Sequence, residues 1–251
     1  MLRAWVQPLE SAVETKTAEI ADGVYRFSTA VDGIGPEPFT FNQFLIDADE
    51  PMLFHLGHRG FFPSISEAVA NVTPLARIRY LSFGHVEADE CGALNQWLAA
   101  APGAEVVHSR LACQVSLSEL ADRPPRPLDD GETIDLGGRK VRWIDTPHVP
   151  HGWEAGVIWE ETNRTLFCGD LLTHGGDGSA IVETDITEAA CAMEDMFHAM
   201  TMAPGTAPIL RALAGLSPAT LALMHGSSYR GDGGAALRRL ADYSASAMSP
   251  R

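Results

Sequence analysis

Cysteine is scarce in this chain of 251 residues: Cys91, Cys113, Cys168 and Cys191 stand far apart and form no CxxC pair. That absence excludes a zinc ribbon and a dithiol redox motif, and leaves reduced thiols as the expectation. Positive charge is also short, with 18 Lys and Arg against 33 Asp and Glu and a net charge of -15. Such a balance offers no counter-charge to phosphates, so no nucleic-acid partner is expected. The segment "RGDGGAALRRL" near the C-terminus is the single mildly basic stretch. No apolar run approaches the roughly 18 to 20 residues that span a bilayer, so no membrane partner is expected either. The N-terminal "MLRAWVQPLESAVETK" meets Pro8 and acidic residues too early for a secretory h-region, which makes the expected location cytoplasmic. Internal repeats and low-complexity linkers are missing too. The expectation is one domain over residues 1–251, long enough to bury a full core.

What is present begins with strands. "GVYRFST", "TFNQFLID" and "PMLFHLG" carry alternating or continuous apolar patterns; "SISEAVANV" is a short helix, and the apolar "IRYLSFG" is a further strand. "ECGALNQWLAAA" spaces Ala93, Leu94, Trp97 and Leu98 as a helix does. The breaker-rich "ADRPPRPLDDGE" (121–132) reads as a surface loop. A second strand-rich block follows in "ETIDLGG", "KVRWIDT", "EAGVIWEE" and "RTLFCGD". Helical patterns return in "ITEAACAMEDMFHAMT" and "TAPILRALAGL", then a strand, "ATLALMHG", and a closing helix, "GGAALRRLADYSAS". Two successive strand-then-helix blocks predict two packed sheets with helices outside, an α+β arrangement.

Polar residues fall where the strands stop. "YLSFG" runs into His85, "VRWIDTP" into His148, "TLFCG" into Asp170 and "TLALM" into His225. Strand ends hold side chains more rigidly than free loops do. The stretch "HVEADE" adds Glu87, Asp89 and Glu90 beside His85. Acids before a helix also suit its positive end, so that stretch alone is compatible with a solvated helix start. The four strand ends together are not. Three imidazoles (His85, His148, His225) and three carboxylates (Glu87, Asp89, Asp170) exceed the four donors of a closed zinc site. They suit two metal ions sharing a carboxylate. Nitrogen and oxygen donors without thiolate favour iron, manganese or zinc.

The order H-x-[HE]-x-D, a later His after "TP", then "GD", then "HG" resembles the metallo-β-lactamase superfamily, whose four-layer αββα sandwich holds two metals at its edge. Most hydrolytic members have His at the second position. Glu87 there resembles the diiron domain of flavodiiron proteins and the related oxygen-binding diiron proteins. "FTFNQFLID", "PHVPHGWEAGV", "LFCGDLL" and "MHGSSYRG" carry further likeness, which extends over roughly residues 17 to 245. The resemblance implies one iron on His85, Glu87 and His148, another on Asp89 and His225, and Asp170 bridging them. Glu90 stands where the family usually has His, and His55 where it commonly has Asp. Glu90, His55 and His151 are therefore candidates for an extra ligand or for a partner behind the ligands. Flavodiiron reductases carry a flavodoxin domain after the diiron domain. No flavin phosphate loop is seen in this sequence, so the expectation is that no flavin binds to this chain and that a separate redox protein supplies electrons.

Three readings follow. The first is a non-haem diiron protein that binds dioxygen and reduces it or nitric oxide, an oxidoreductase with two Fe ions. The second is a dinuclear zinc or manganese hydrolase of esters, thioesters, lactones or phosphodiesters, with no separate catalytic side chain beyond the metal centre. The third is an oxygen sensor without turnover. A homodimer is implied by the resemblance alone. His174, Tyr229 and Trp153 are candidates for the pocket wall; His58, His108 and His198 receive no role.

Overall fold

The computed structural model describes residues 14–248. The N-terminal stretch that argues against a secretory leader lies, for residues 1–13, outside the described residues. Among the described residues fourteen strands form two seven-stranded sheets. In the first, β1 (Thr15–Ala21), β2 (Val24–Val31), β3 (Phe39–Ile46) and β4 (Met52–Phe54) run antiparallel. Then β5 (Tyr80–Ser82), β6 (Glu105–Ser109) and β7 (Arg126–Leu128) continue it in parallel. The second sheet contains β8 (Thr133–Asp135), β9 (Lys140–Asp145), β10 (Gly156–Glu160), β11 (Thr165–Phe167), β12 (Ile181–Val182), β13 (Thr220–Ala222) and β14 (Ser228–Arg230). Its spatial order is β12-β14-β13-β11-β10-β9-β8.

Side-chain alternation along the strands decides the layering, because successive residues point to opposite faces. Phe44 and Ile46 of β3, Met52 and Phe54 of β4, Ile158 of β10 and Phe167 of β11 meet in one core between the sheets. Their neighbours Leu45 and Leu53 turn to the opposite side. There they pack with Ile65 and Val69 of α1 (Phe62–Ala70) and with Leu94, Trp97 and Leu98 of α3 (Leu94–Ala100). A four-residue helix, α2 (Ala88–Cys91), precedes α3, and an irregular helical stretch comprises α4 (Arg110–Ala112), a π-turn (Cys113–Leu117) and α5 (Ser118–Leu120). On the second sheet, Val157, Trp159, Leu166 and Leu223 pack against α6 (Thr187–Phe197), α7 (Thr206–Gly215) and α8 (Gly233–Ala247). The layers are therefore helix, sheet, sheet, helix. Strands buried on both faces carry apolar residues at every position, which is why "MLF" and "TLF" read as continuous runs.

Two local readings need correction. The helical run from Glu90 divides at Gly92, where a turn separates α2 from α3. The breaker-rich 121–132 segment is not all loop: Arg126–Leu128 pairs with β6 as the last strand of its sheet, and Pro127 is tolerated there because an edge strand need not donate on both sides. Among the described residues no helix is long and apolar enough to cross a membrane.

Candidate metal centre

The site lies where the two sheets meet at one end. Gly156 N–H, at the start of β10, donates to the carbonyl of Gly84 at the end of β5 (2.9 Å). Any side chain at 156 would collide with the Trp143 indole, so glycine is required for this approach. Directly after Gly84 the chain delivers His85, then Glu87 at the start of α2 and Asp89 in its first turn.

His85 Nε2 lies 2.8 Å from Glu87 Oε2 and 3.7 Å from Asp170 Oδ2. His151 Nε2 lies 3.0 Å from the same Glu87 oxygen and 3.4 Å from Asp170 Oδ2. One donor atom from each of these four residues falls within 4.8 Å of the others, close to the span of ligands around a single ion. A second group faces the other oxygen of the same carboxylate. His225 Nε2 is 3.3 Å from Asp170 Oδ1 and 3.5 Å from Asp89 Oδ2. Asp170 therefore belongs to both groups. Buried and without a hydrogen-bond partner are Asp170 Oδ1 and Asp89 Oδ1, acceptors that a cation would satisfy.

The field of these carboxylates governs the imidazoles. Burial opposes a charge on His85, yet Glu90, the hydrogen bond to Glu87 and Asp170 outweigh it and push its pKa to about 10. Burial likewise opposes a charge on His225, but Asp170 and Asp89 push it to about 10. Hydrogen bonds from His151 and His85 pull Glu87 down to about 2. Asp170 is also held low, since its histidine partners outweigh its burial. A cluster that gathers cations this strongly fits divalent metal ions, and its donor set, imidazole and carboxylate without thiolate, is that of iron, manganese or zinc.

Sequence spacing points to His148 as the third imidazole; the structure brings His151 there instead. His148 N–H donates to Gly152 O (2.8 Å), so the loop doubles back, and the His148 side chain is left exposed at a φ of 66°. Glu90 does not join either donor group. One residue beyond Asp89 on α2, it points about 100° away around the helix axis. Fully buried, it accepts from Gly84 N–H (2.5 Å) and lies 3.5 Å from His85 Nδ1 and 3.4 Å from His55 Nε2. Burial pushes its carboxyl up. His55 is likewise fully buried, with Nδ1 3.1 Å from Asn42 O and its ring against Phe54. Burial pulls His55 down to about 3, so it is neutral.

The three pocket candidates lie elsewhere. His174 is buried, its Nε2 accepting from Ser227 N–H (3.0 Å) and its Nδ1 donating to Leu172 O (3.0 Å). That ring lies against Gly226, where a Cβ would come within 2.5 Å of it and φ is +89°. Tyr229 is buried in the helix-side core of the second sheet, and Trp153 is 54% exposed.

Two residues escape a reading by ligand type. Thr40 O accepts from His225 Nδ1 (2.8 Å), and Thr40 Oγ1 accepts from Gly226 N–H (2.8 Å). The Asn42 side-chain amide donates to Leu223 O (2.8 Å) and Gly226 O (2.9 Å). Both stand in β3, where polar residues interrupt an apolar strand in "FTFNQFLI", the one signal of their role. They latch the turn carrying His225, on the second sheet, to the first sheet.

The family described as ODP family beta lactamase matches residues 39–226. The rubredoxin-oxygen oxidoreductase of Megalodesulfovibrio gigas is 25% identical over 207 residues, covering 79% of this chain and 51% of that protein. Diflavin flavoprotein A 1 of Synechocystis sp. is 24% identical over 214 residues, 82% of this chain and 37% of that protein. The chain thus spans about half or less of these relatives' length. The metal-soaked Flv1 flavodiiron core from Synechocystis sp. PCC6803 superposes with a TM-score of 0.82 at 23% identity, over 94% of this chain and 62% of that one. That likeness shows the fold: a metallo-β-lactamase-like αββα sandwich.

Proposed function

The chain belongs to the ODP beta-lactamase family, and we propose that it is a non-haem diiron protein that binds dioxygen and reduces it with electrons from a separate redox protein. The observation that carries this reading is the sharing of Asp170 between two donor groups, one of them containing the carboxylate of Glu87. His85, Glu87 and His151 would hold one iron, Asp89 and His225 the other, with Asp170 common to both. Carboxylate donors favour the more highly charged oxidised state of iron. Two irons so held would pass on electrons received from the redox partner and would supply the Lewis acidity that dioxygen chemistry needs.

The protein's own residues do the rest. Thr40 O accepts the Nδ1 proton of His225 and leaves Nε2 free to donate its lone pair, and Glu90 Oε1 lies on the Nδ1 side of His85 at the longer distance of 3.5 Å. Glu154 Oε1 accepts from Val86 N–H (2.9 Å) and fixes the chain between His85 and Glu87. The test is metal analysis of protein produced with ample iron and zinc, joined to oxygen consumption with a general electron donor. Two irons per chain and sustained consumption are expected. Zinc-only protein that turns over esters would replace this reading with a hydrolase, and reversible oxygen binding without consumption would make it a sensor.

A further inference from the structure

The metal-ligating end opens into a cavity of about 210 Å³, larger than a two-atom gas requires. One water takes about 30 Å³ of the liquid, and an apolar cavity of about 150 Å³ engineered in another protein accommodates benzene. Glu87, Asp89, His151, Asp170 and His225 line one end. The walls are apolar, with Phe39, Leu172, Met193, Phe197 and Met200 among them. Helix α6 supplies much of one wall through Ala190, Met193, Glu194 and Phe197, the spacing of a single helix face. Phe39 lies with its ring centroid 4.3 Å from that of His225, so the wall continues onto a metal-site imidazole. At the rim, Ile34 (41% exposed) and Phe197 (42% exposed) leave apolar surface open to solvent beside the cavity.

We propose that this cavity binds a small organic molecule with a compact apolar body, a benzene-sized ring with a short substituent, and one hydroxyl head directed at the carboxylate–imidazole end. The inference deepens the diiron reading and rests on it for the orientation of the head. A neutral hydroxyl can donate to a carboxylate and present its oxygen to a metal ion. An anionic head would face Glu87, Asp89, Asp170 and Glu194, whose charge two divalent ions would cancel rather than reverse. A fully polar molecule would leave its groups unpaired against the methionine and phenylalanine walls. The methionines suit a ligand of this kind, because their unbranched side chains adjust to irregular apolar shapes.

The test uses 4-ethylphenol as the probe. Isothermal titration into the metal-loaded full chain is expected to give one site with a Kd below about 1 mM. With methionine methyls labelled and the chain loaded with diamagnetic zinc, NMR signals of Met193 and Met200 are expected to shift while Met52, between the sheets, stays in place. Met193→Trp and Ala199→Trp, each filling the cavity, are expected to weaken binding at least tenfold with metal content unchanged. Ala199 is exposed, so its variant tests the idea even where Met193→Trp fails to fold. Ethanol, with the head but no ring, is expected to bind at least tenfold more weakly than the probe. No saturable binding, unchanged affinity in both Trp variants, or shifts as large at Met52 as at Met193 would overturn the proposal. Iron content and oxygen consumption are measured on the same preparations. Their loss with 4-ethylphenol binding retained removes the diiron reading and leaves the cavity's ligand class standing; their presence without phenol binding removes only the ligand class.

Discussion

Thr40 and His225 stand 185 positions apart in sequence, and the Thr40 carbonyl accepts the Nδ1 proton of His225 at 2.8 Å. Because that bond joins a backbone oxygen of the first sheet to a side chain beyond the second, the placement of His225 depends on how the sheets are seated. Asn42 reinforces it through two carbonyls of the same turn. Asn42→Ala takes its donor from the buried Leu223 carbonyl and leaves Gly226 O with the Arg26 guanidinium (3.0 Å), and is expected to destabilise the fold by about 1–3 kcal/mol, read by urea unfolding. It is also expected to lower metal occupancy on the His225 side. Unchanged unfolding and full metal content would show that the latch does not position the ligand.

His148 and His151 give opposite expectations. His148→Ala, at an exposed side chain, is expected to stay within about 0.5 kcal/mol of the parent and to keep its metal. His151→Ala removes one of the four converging donors and is expected to lose the ion on that side. Metal analysis of the two variants decides it, and the reverse pattern would restore His148 as the ligand.

Glu90→Gln probes the carboxylate turned away from both donor groups. It keeps an acceptor for Gly84 N–H but puts an amide where His85 Nδ1 needs a carboxylate oxygen. Metal affinity is expected to fall about 10–100-fold with both ions still bound at saturation, as for residues behind a ligating histidine. Outright loss of one equivalent of metal would instead mark Glu90 as a ligand.

Metal binding and pH are coupled with a definite sign. His85 and His225 hold their protons up to about 10 in the metal-free chain, and an imidazole must lose its proton to bind a metal. Binding at pH 7 is therefore expected to release protons, and affinity to rise with pH. Titrations in buffers of different ionisation heat measure this directly; identical heats in all buffers would contradict it. The metal-free fold follows the opposite course. A histidine pKa raised above its ordinary value contributes stability that is complete below about 6.5 and is lost as pH rises through about 10. Thermal unfolding of the metal-stripped chain is expected to fall over that window.

Much of this architecture is legible in residue patterns. Continuous apolar strands and 3.6-residue helical spacing give the four layers, and an acid or imidazole directly after a strand marks the site. The missed strands are short or at sheet edges: β1 is an edge strand, β12 has two residues and β14 three, β7 hides among prolines, and β6, "EVVHS", carries too few residues for a period to show. The structure differs over the histidine for another reason. His148 and His151 are three residues apart on one loop, and which points inward depends on a left-handed residue and on the Gly152 hydrogen bond, neither of which is written in residue type. Glu90 and His55 stand together only because α2 and the end of β4 meet in space, 35 positions apart, and one sequence holds no trace of that contact.

Asp170 has one oxygen toward each donor group, and this has a thermodynamic corollary. Two ions that share a carboxylate cannot be loaded independently. Whatever factor the first ion imposes on the affinity for the second, the second imposes on the first, since the coupling free energy belongs to the pair. With the proposed pair of ions bound, a substitution on either side of Asp170 would therefore be felt at both, and half-loaded protein would be a distinct species with its own affinity rather than an average of empty and full.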